Sequence, residues 1–151
     1  DRGAAVMNAS TQAVSIGAMG KIASIPVLFR AEFSSAIVDF SPWTMDEQTQ
    51  KHCDPNSMDF AFSFPTWHPQ LNCGCILLQV YFANQLSDKN NCFYGIEASG
   101  HGHRTQYWKF STIIDWRFSG DSLPSDVCQQ QLKHIFHQIH TLFGYPASLP
   151  H

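Results

Sequence analysis

Residues 58–64 read Met-Asp-Phe-Ala-Phe-Ser-Phe, and this stretch decides the fold class. Large apolar residues occupy every second position and alternate with Asp, Ala and Ser. Because successive side chains of a strand point to opposite faces of a sheet, the pattern predicts a β-strand with one buried face. Two prolines follow, at Pro65 and Pro69, and we predict a turn over residues 65–69.

Further strands are predicted towards the C-terminus, over residues 73–83, 93–98 and 105–118. The first of them places alternate apolar residues on one face, namely Ile76, Leu78, Val80 and Phe82. Polar turn sequences at 87–91 and 99–103 separate the three strands. Since strands that are adjacent in sequence usually pair, the order predicts an antiparallel meander.

Towards the N-terminus the same alternation is seen at residues 25–33, where Val27, Phe29 and Phe33 would lie on the same face of a strand. We predict a strand there, a turn at Ser34 and Ser35, and a short second strand at 36–40. Residues 41–57 contain two prolines and many polar residues, which predicts a loop. Residues 1–20 are interpreted as a flexible arm or, through the weak alternation at 13–17, as an edge strand.

A helix is predicted at the C-terminal end, over residues 125–143. Ser122 or Ser125 can serve as its N-cap, and Gly144 follows as a stop signal. Apolar residues recur at helical spacing on one side of it, namely Cys128, Leu132, Ile135, Phe136, Ile139, Leu142 and Phe143. We therefore expect an amphipathic helix with this side packed on the sheet.

Together these elements predict an α+β fold, in which an antiparallel β-meander sheet of about five to seven strands is covered by one C-terminal amphipathic helix. The 151 residues fit a single domain, 1–151, which is long enough to bury its own core. One helix covers one face, so the other face of the sheet has no predicted cover.

The composition narrows the classes of partner. Charged residues make up 14% of the chain, about half of the usual share, and the nine Lys and Arg are scattered. We therefore expect no nucleic-acid partner, because no basic stripe is present to neutralise phosphates. No apolar run reaches the length of a membrane span, so no membrane-spanning segment is expected. A surface with few charges suits contact with another protein or a peptide.

The N-terminal sequence and the cysteine count bear on the origin of the chain. It begins with Asp1 rather than Met, which suggests a domain excised from a larger protein. Five cysteines is an odd and low count for a disulfide framework, so reduced thiols and an intracellular location, in the cytoplasm or nucleus, are expected. The sequence leaves the oligomeric state open.

One constellation could bind a metal. Cys73 and Cys75 are two residues apart, as are His101 and His103, and alternate residues of a strand point the same way. Two thiolates and two imidazoles would complete a tetrahedral zinc site. The alternative is that these are two thiols at the start of a strand and a polar turn, with no cofactor.

Two other groups of residues could carry chemistry. A thiol nucleophile could pair Cys73 or Cys75 with His68, or Cys53 with His52, but no nucleophile motif surrounds any cysteine. On the C-terminal helix His134, His137 and His140 are spaced by three, which suits metal binding or pH sensing. Such a row is more often a polar face of the helix.

The aromatic residues in loops are candidates for binding. Trp43 and Trp67 lie in proline-containing segments, and His68 follows Trp67. Aromatic residues in loops either anchor the loop or form energetic centres of a binding surface. Trp43, Trp67 and His68 are therefore predicted to contact a partner.

The sequence favours a non-catalytic protein-interaction domain that binds a peptide or partner domain through an uncovered sheet face or edge. Two alternatives remain open. One is a small-molecule-binding domain with an apolar pocket between sheet and helix, lined by phenylalanines. The other is a zinc-binding protein. No catalytic motif supports an enzyme.

Overall fold

The computed structural model describes residues 16–39, 57–82 and 93–144, with side chains from residue 20 onward. These residues form two helices and six strands, in the order α1 (Ile16–Glu32), β1 (Ile37–Asp39), β2 (Ser57–His68), β3 (Cys73–Phe82), β4 (Phe93–His101), β5 (Gln106–Ser111), β6 (Arg117–Gly120) and α2 (Asp126–Leu142). The strands form one antiparallel sheet in the order β1-β2-β3-β4-β5-β6. The predicted α+β meander with a C-terminal helix is confirmed.

The strand predicted over 25–33 is wrong, because this segment belongs to α1. Ile22, Ile25 and Phe29 are buried at helical spacing, whereas Val27 is 68% exposed. Phe29 and Phe33 are four residues apart, a spacing that fits both a strand face and a helix face, and this produced the error. The edge strand considered at 13–17 is also wrong from Ile16 onward, where α1 begins; residues 13–15 lie outside the described residues.

The chain leaves α1 through the turn predicted at Ser34 and Ser35 and enters β1. Strand β1 has three residues and pairs with the middle of β2, with Val38 opposite Phe62. Most of the predicted loop over 41–57 lies outside the described residues, and Ser57 already begins β2.

Two predicted turns lie later in the structure than expected. Strand β2 continues through Pro65 to His68, so the turn falls on residues 69–72, where Asn72 has a φ of 55°. Strand β4 continues to His101, three residues past the predicted end. Register irregularities accompany both shifts, between residues 63 and 68 and between 100 and 101.

The single strand predicted over 105–118 is two strands, β5 and β6, with a tight turn at 112–115. The hydroxyl oxygen of Ser111 accepts the backbone N–H groups of Ile113 and Ile114, at 3.1 and 3.3 Å. Trp116 then adopts a φ of 58°, which a strand cannot accommodate. The apolar alternation continues through the turn, and Ile114 is 73% exposed, so alternation alone could not reveal it.

Helix α2 agrees with its sequence signals. Ser125 is the N-cap, and its hydroxyl accepts the N–H of Cys128 at 3.2 Å. The helix ends before Phe143, and Gly144 follows with a φ of 74°. The predicted apolar side is buried from Cys128 to Ile139. No helix among the described residues is long and apolar enough to cross a membrane.

Both helices pack on the same face of the sheet. The ring of Phe29 on α1 stacks on Phe62 of β2, with ring centroids 3.8 Å apart. The ring of Phe136 on α2 stacks on Phe110 of β5, with centroids 4.9 Å apart. All four rings are at most 1% exposed. The core therefore lies between the sheet and two helices, of which the sequence indicated only α2.

The turn at 69–72 joins the sheet to the start of α2. The carbonyl of Leu71 accepts the indole N–H of Trp108 at 2.7 Å. The carbonyl of Gln70 accepts the N–H of Ser125 at 2.7 Å. The side-chain amide of Asn72 donates to the carbonyl of Leu123, also at 2.7 Å. Three consecutive residues thus hold segments that are 37 to 55 positions further along the chain.

Candidate functional site

The face of the sheet that points away from α1 and α2 is called the open face here. No helix or strand within 16–39, 57–82 and 93–144 packs on it. Its residues alternate with the core residues along each strand, and they are Ile37, Asp39, Asp59, Ala61, Ser63, Cys75, Leu77, Gln79, Glu97, Ser99, His101, Lys109, Ser111, Arg117 and Ser119. Six of these fifteen residues are uncharged and polar, five are charged and four are apolar, in contrast to the aromatic core face. Ala61, Leu77 and Ser111 are buried.

The registers place these residues in rows across the strands. The first row runs Ile37–Ser63–Cys75–His101. The second row runs Asp39–Ala61–Leu77–Ser99–Lys109–Ser119. The third row runs Asp59–Gln79–Glu97–Ser111–Arg117. Directly opposed residues in adjacent strands have Cβ atoms about 4.5–5.5 Å apart, so each row is a continuous line of neighbours.

Charge is unevenly distributed on the open face. The acidic residues Asp39 and Asp59 lie on β1 and β2, whereas the basic residues Lys109 and Arg117 lie on β5 and β6. Glu97 lies between them on β4. Each half of the face therefore carries one sign of charge at its outer side.

A shallow depression lies on the open face between β3 and β5. It has a volume of about 190 Å³, and its polar lining consists of Gln79, Glu97, Ser99, Gln106 and Lys109. These groups can donate and accept hydrogen bonds, but the depression is too small to enclose a drug-sized molecule. It suits a single side chain of a partner.

The structure brings together two of the four predicted zinc ligands. Cys75 on β3 lies directly opposite His101 on β4. Cys73 pairs instead with His68 and is buried, and His103 lies exposed beyond the end of β4. Among the described residues no group of three or more His, Cys, Asp or Glu side chains could hold a metal ion. The zinc site stays a prediction, with one facing pair available for it.

The thiols of Cys73 and Cys75 are poor nucleophiles. The pKa of Cys73 is raised to about 12. Burial is the main cause, and the neighbouring thiol of Cys75 contributes to the same shift. Burial also raises the pKa of Cys75, with the carboxylate of Asp39 acting in the same direction. Nucleophilic attack requires the thiolate, and both thiols are protonated at neutral pH.

The histidine partners proposed for a nucleophile have other contacts. His68 is opposite Cys73, but its Nδ1 accepts the backbone N–H of Leu71 at 3.2 Å. Nε2 of His101 lies 2.7 Å from the hydroxyl of Ser99. Cys53 and His52 lie outside the described residues. Together with the protonated thiols, these contacts disfavour the nucleophile hypothesis.

Trp67 and His68, predicted to contact a partner, differ in their surroundings. Trp67 is 46% exposed, and its ring packs edge-to-face on Tyr107, with centroids 5.3 Å apart. His68 is half-buried, and its ring contacts Phe33 and Phe64. Trp67 is thus available at the surface, whereas His68 stabilises the 69–72 turn. Trp43 lies outside the described residues.

The histidine row on α2 is divided between surface and interior. His134 and His137 are exposed, and His137 stacks on Trp116 with ring centroids 4.4 Å apart. His140 is 2% exposed, and its Nε2 lies 3.0 Å from the hydroxyl of Thr112. The row therefore connects α2 to the 112–115 turn and does not present three imidazoles together.

The apolar pocket predicted between sheet and helix finds little support. The stacked pairs Phe29–Phe62 and Phe110–Phe136 fill the interface with rings in direct contact. A groove of about 550 Å³ lies elsewhere, on the outer side of the two helices, lined by Leu28, His134, His137 and Leu142 among others. It is open to solvent and separate from the phenylalanine core.

Apart from Cys75 and His101, the residues of the open face were not predicted from the sequence to belong to a site. The sequence did indicate which face they lie on, because on each strand they alternate with the apolar residues of the core. Alternation assigns a residue to a face, but it does not say which residues of different strands become neighbours. Lys109 and Ser99 become neighbours only through the register of β4 and β5.

A family model described as a domain of unknown function matches residues 10–145, and the chain belongs to this family. All six strands and both helices lie within the matched region. No curated protein and no solved structure matches the chain.

Proposed function

We propose that this domain is a non-catalytic protein-interaction domain that binds a partner protein through the open face. The observation that carries the proposal is the one-sided packing of the helices. Both α1 and α2 bury their apolar sides against the same face. The opposite face of six strands has no cover among the described elements and presents hydrogen-bonding side chains in ordered rows.

The chemistry of the open face supports a protein partner. Two basic and three acidic side chains are spread over it, among serines, Gln79 and His101. A nucleic acid would require a basic surface, and Lys109 and Arg117 are offset here by Asp39, Asp59 and Glu97. Mixed charge with many uncharged polar groups is typical of the surface of a non-obligate protein interface.

The face is better suited than the edges to binding. An added strand needs a long row of exposed backbone groups. Within the part of the chain that the structure describes, strand β1 has three residues and β6 has four, so each edge offers little backbone to a peptide there. The short edges therefore favour a partner that docks on the face.

The protonated thiols support a non-catalytic role. Among the described cysteines, only Cys73 and Cys75 lie opposite a histidine of the adjacent strand. Burial raises the pKa of both thiols. A thiolate is not available there at neutral pH. Binding requires none of these groups to react.

Site-specific photo-crosslinking tests the proposal. The photoreactive residue p-benzoylphenylalanine replaces Gln79 in the middle of the open face, and in a matched control it replaces the exposed Gln130 on α2. Irradiation of cells that express the full-length protein should give a defined adduct from position 79 and none from position 130. Adding Ser99→Arg, which places a bulky charge beside the probe, should remove the adduct. Equal adducts at both positions, or none at either, contradict the proposal.

A further inference from the structure

Two basic and two hydroxyl side chains form a square on the open face, where β5 and β6 pair. Lys109 lies opposite Ser119, and Ser111 lies opposite Arg117. The two cations therefore occupy one diagonal of the square, and the two hydroxyls occupy the other. Neighbouring corners are about 5–7 Å apart, so one small ligand can contact all four side chains.

A depression of about 250 Å³ lies at this square and is called the basic depression here. Besides the four corners, its lining includes Ile114, Asp115 and Phe118. Lys109 and Ser119 are exposed, and their side chains form no hydrogen bond or ion pair with any residue that the structure describes. Both are therefore available to a ligand.

Three corners of the square offer hydrogen-bond donors without an acceptor. The hydroxyl oxygen of Ser111 already accepts the backbone N–H groups of Ile113 and Ile114, at 3.1 and 3.3 Å. Since a hydroxyl has two acceptor lone pairs and one proton, Ser111 is left as a donor. The side chains of Lys109 and Arg117 carry donors only. Such a set favours a ligand with several oxygen atoms and negative charge.

One carboxylate competes with such a ligand. Oδ2 of Asp115 lies 3.8 Å from Nη1 of Arg117, and the two side chains are 54% and 77% exposed. An ion pair that is this long and this exposed contributes little to stability. A ligand with two negative charges can displace Asp115 from the guanidinium group, whereas a single carboxylate only replaces one carboxylate by another.

We propose that the basic depression binds a phosphorylated serine or threonine of the partner protein. This inference rests on the proposed function and names the chemical group by which the partner is recognised. A phosphate monoester carries a charge of about −1.5 to −2 at neutral pH and has three strong acceptor oxygens. Arg117 and Lys109 bind the dianion from opposite corners, and the hydroxyls of Ser111 and Ser119 donate to its remaining oxygens.

The lining favours a phosphorylated protein over a free phosphate. Ile114 is 73% exposed, and Phe118 is half-buried. Apolar side chains gain nothing from an inorganic anion, but they can pack on the methylene group of phosphoserine or on a neighbouring residue of the partner. The basic depression also adjoins the rest of the open face, so a protein docked there brings its phosphoryl group to the square.

The charges around the square favour one phosphate over a row of phosphates. Glu97 is the partner of Ser111 on β4, and Asp121 follows the end of β6. Both carboxylates repel any phosphate that is next to the bound one. The net charge of the chain is −3, so it has no general attraction for polyanions. A nucleic acid is therefore disfavoured, although a single phosphoryl group is bound.

Nuclear magnetic resonance titration of the isotope-labelled chain tests the inference. The probe is the peptide acetyl-Ala-Leu-phosphoserine-Leu-Ala-amide, which should shift the amide signals of β5 and β6 with a dissociation constant of about 1 mM or lower. The unphosphorylated peptide should cause no shift. The same peptide with Glu in place of phosphoserine, and inorganic phosphate alone, should each bind about tenfold more weakly or worse. Vesicles of phosphatidylcholine and phosphatidic acid should not bind the chain.

Four variants at exposed positions assign the binding to the square. Lys109→Gln and Arg117→Gln should each weaken binding of the phosphopeptide about tenfold, because each removes a charged donor. Asp115→Asn removes the competing carboxylate and should strengthen binding about two- to fivefold. Arg30→Gln removes a cation from the exposed side of α1 and should leave binding unchanged. A gain of affinity cannot result from misfolding, so Asp115→Asn decides the matter if a loss variant does not fold.

Four outcomes overturn the inference. They are an absence of shifts up to about 5 mM phosphopeptide, equal binding of the Glu peptide or of inorganic phosphate, binding of the vesicles in place of the peptide, and an Asp115→Asn protein with unchanged or weaker affinity. The first would show that the square binds no phosphate, and the others would assign it a different ligand.

The crosslinking probe at position 79 separates this inference from the proposed function. It is used on the purified protein in cell extract, with and without phosphatase treatment of the extract. An adduct that disappears after phosphatase treatment supports both. An adduct that persists leaves the interaction domain standing and overturns recognition through a phosphate. No adduct in either extract overturns the proposed function and, with it, a protein as the source of the phosphate.

Discussion

Gly100 and Trp108 are partners across β4 and β5, and the indole ring of Trp108 occupies the space where a side chain of Gly100 would lie. The ring is fully buried. Its N–H donates to the carbonyl of Leu71, which fixes its position. A methyl group on Gly100 therefore forces either the ring or the strand to move.

We expect Gly100→Ala to lower the free energy of unfolding by about 1–3 kcal/mol, the usual cost of overpacking a core. Urea unfolding followed by tryptophan fluorescence measures the change. Gly74→Ala on β3 is a matched control, because its nearest atom is the carbonyl oxygen of His101 at 3.9 Å, an ordinary contact. A Gly100→Ala protein as stable as this control would mean that the ring is placed differently.

Phe62→Ala tests the packing between the sheet and α1. Phe62 is fully buried and stacks on Phe29, so its truncation should cost about 3–5 kcal/mol. In a double-mutant cycle, Phe29→Ala and Phe62→Ala together should cost less than the sum of the two, because both remove the same ring contact. Strictly additive costs would show that α1 does not pack on β2 in solution.

Ser125→Ala removes the N-cap of α2 and should cost about 1 kcal/mol. Thermal or urea unfolding of the variant gives this value. Ser122→Ala is the control, because Ser122 was the other N-cap candidate in the sequence and lies outside the helix end. A larger loss for Ser122→Ala than for Ser125→Ala would contradict the observed helix start.

Cys73 makes stability depend on pH in the alkaline range. Its pKa is raised by burial from 9.0 to about 12, so the folded state favours the protonated thiol. The unfolded chain loses this proton first as the pH rises above about 9, and the stabilisation is full below pH 9 and is lost between pH 9 and 12. The contribution falls by at most about 1.4 kcal/mol per pH unit.

The pH effect is measured as a difference between two proteins. Urea unfolding at pH 8 and pH 10 should show a steeper loss of stability for the wild type than for Cys73→Ala, since lysines and tyrosines titrate alike in both. Alkylation by iodoacetamide should also leave Cys73 unmodified in the folded protein at pH 8. Equal pH slopes for the two proteins would mean that Cys73 is accessible to solvent.

The elements predicted well from the sequence are those in which several local signals agree. Helix α2 has an N-cap, one apolar side and a glycine stop, and β2 and β3 alternate over many residues. Helix α1 was mistaken for a strand because Phe29 and Phe33 satisfy both periodicities and Pro26 lies inside it. A proline in the interior of a helix removes a hydrogen bond, and packing of α1 against β2 and α2 offsets this cost.

The candidate site was predictable in outline only. The sequence indicated a face without a cover, and Trp67 was recognised as an exposed aromatic residue. The rows of that face depend on three register irregularities, near residues 63–68, 81–82 and 100–101. Each shifts the pairing in a way that no local pattern encodes, so neighbours such as Lys109 and Ser99 could not be identified in advance.

The turn at 69–72 has a consequence for the order of folding. Gln70, Leu71 and Asn72 hold β5 and the start of α2 through hydrogen bonds that span 37 to 55 positions. Such contacts form late, because the loops between them must close first. We therefore expect the β2–β3 hairpin to form before α2 docks.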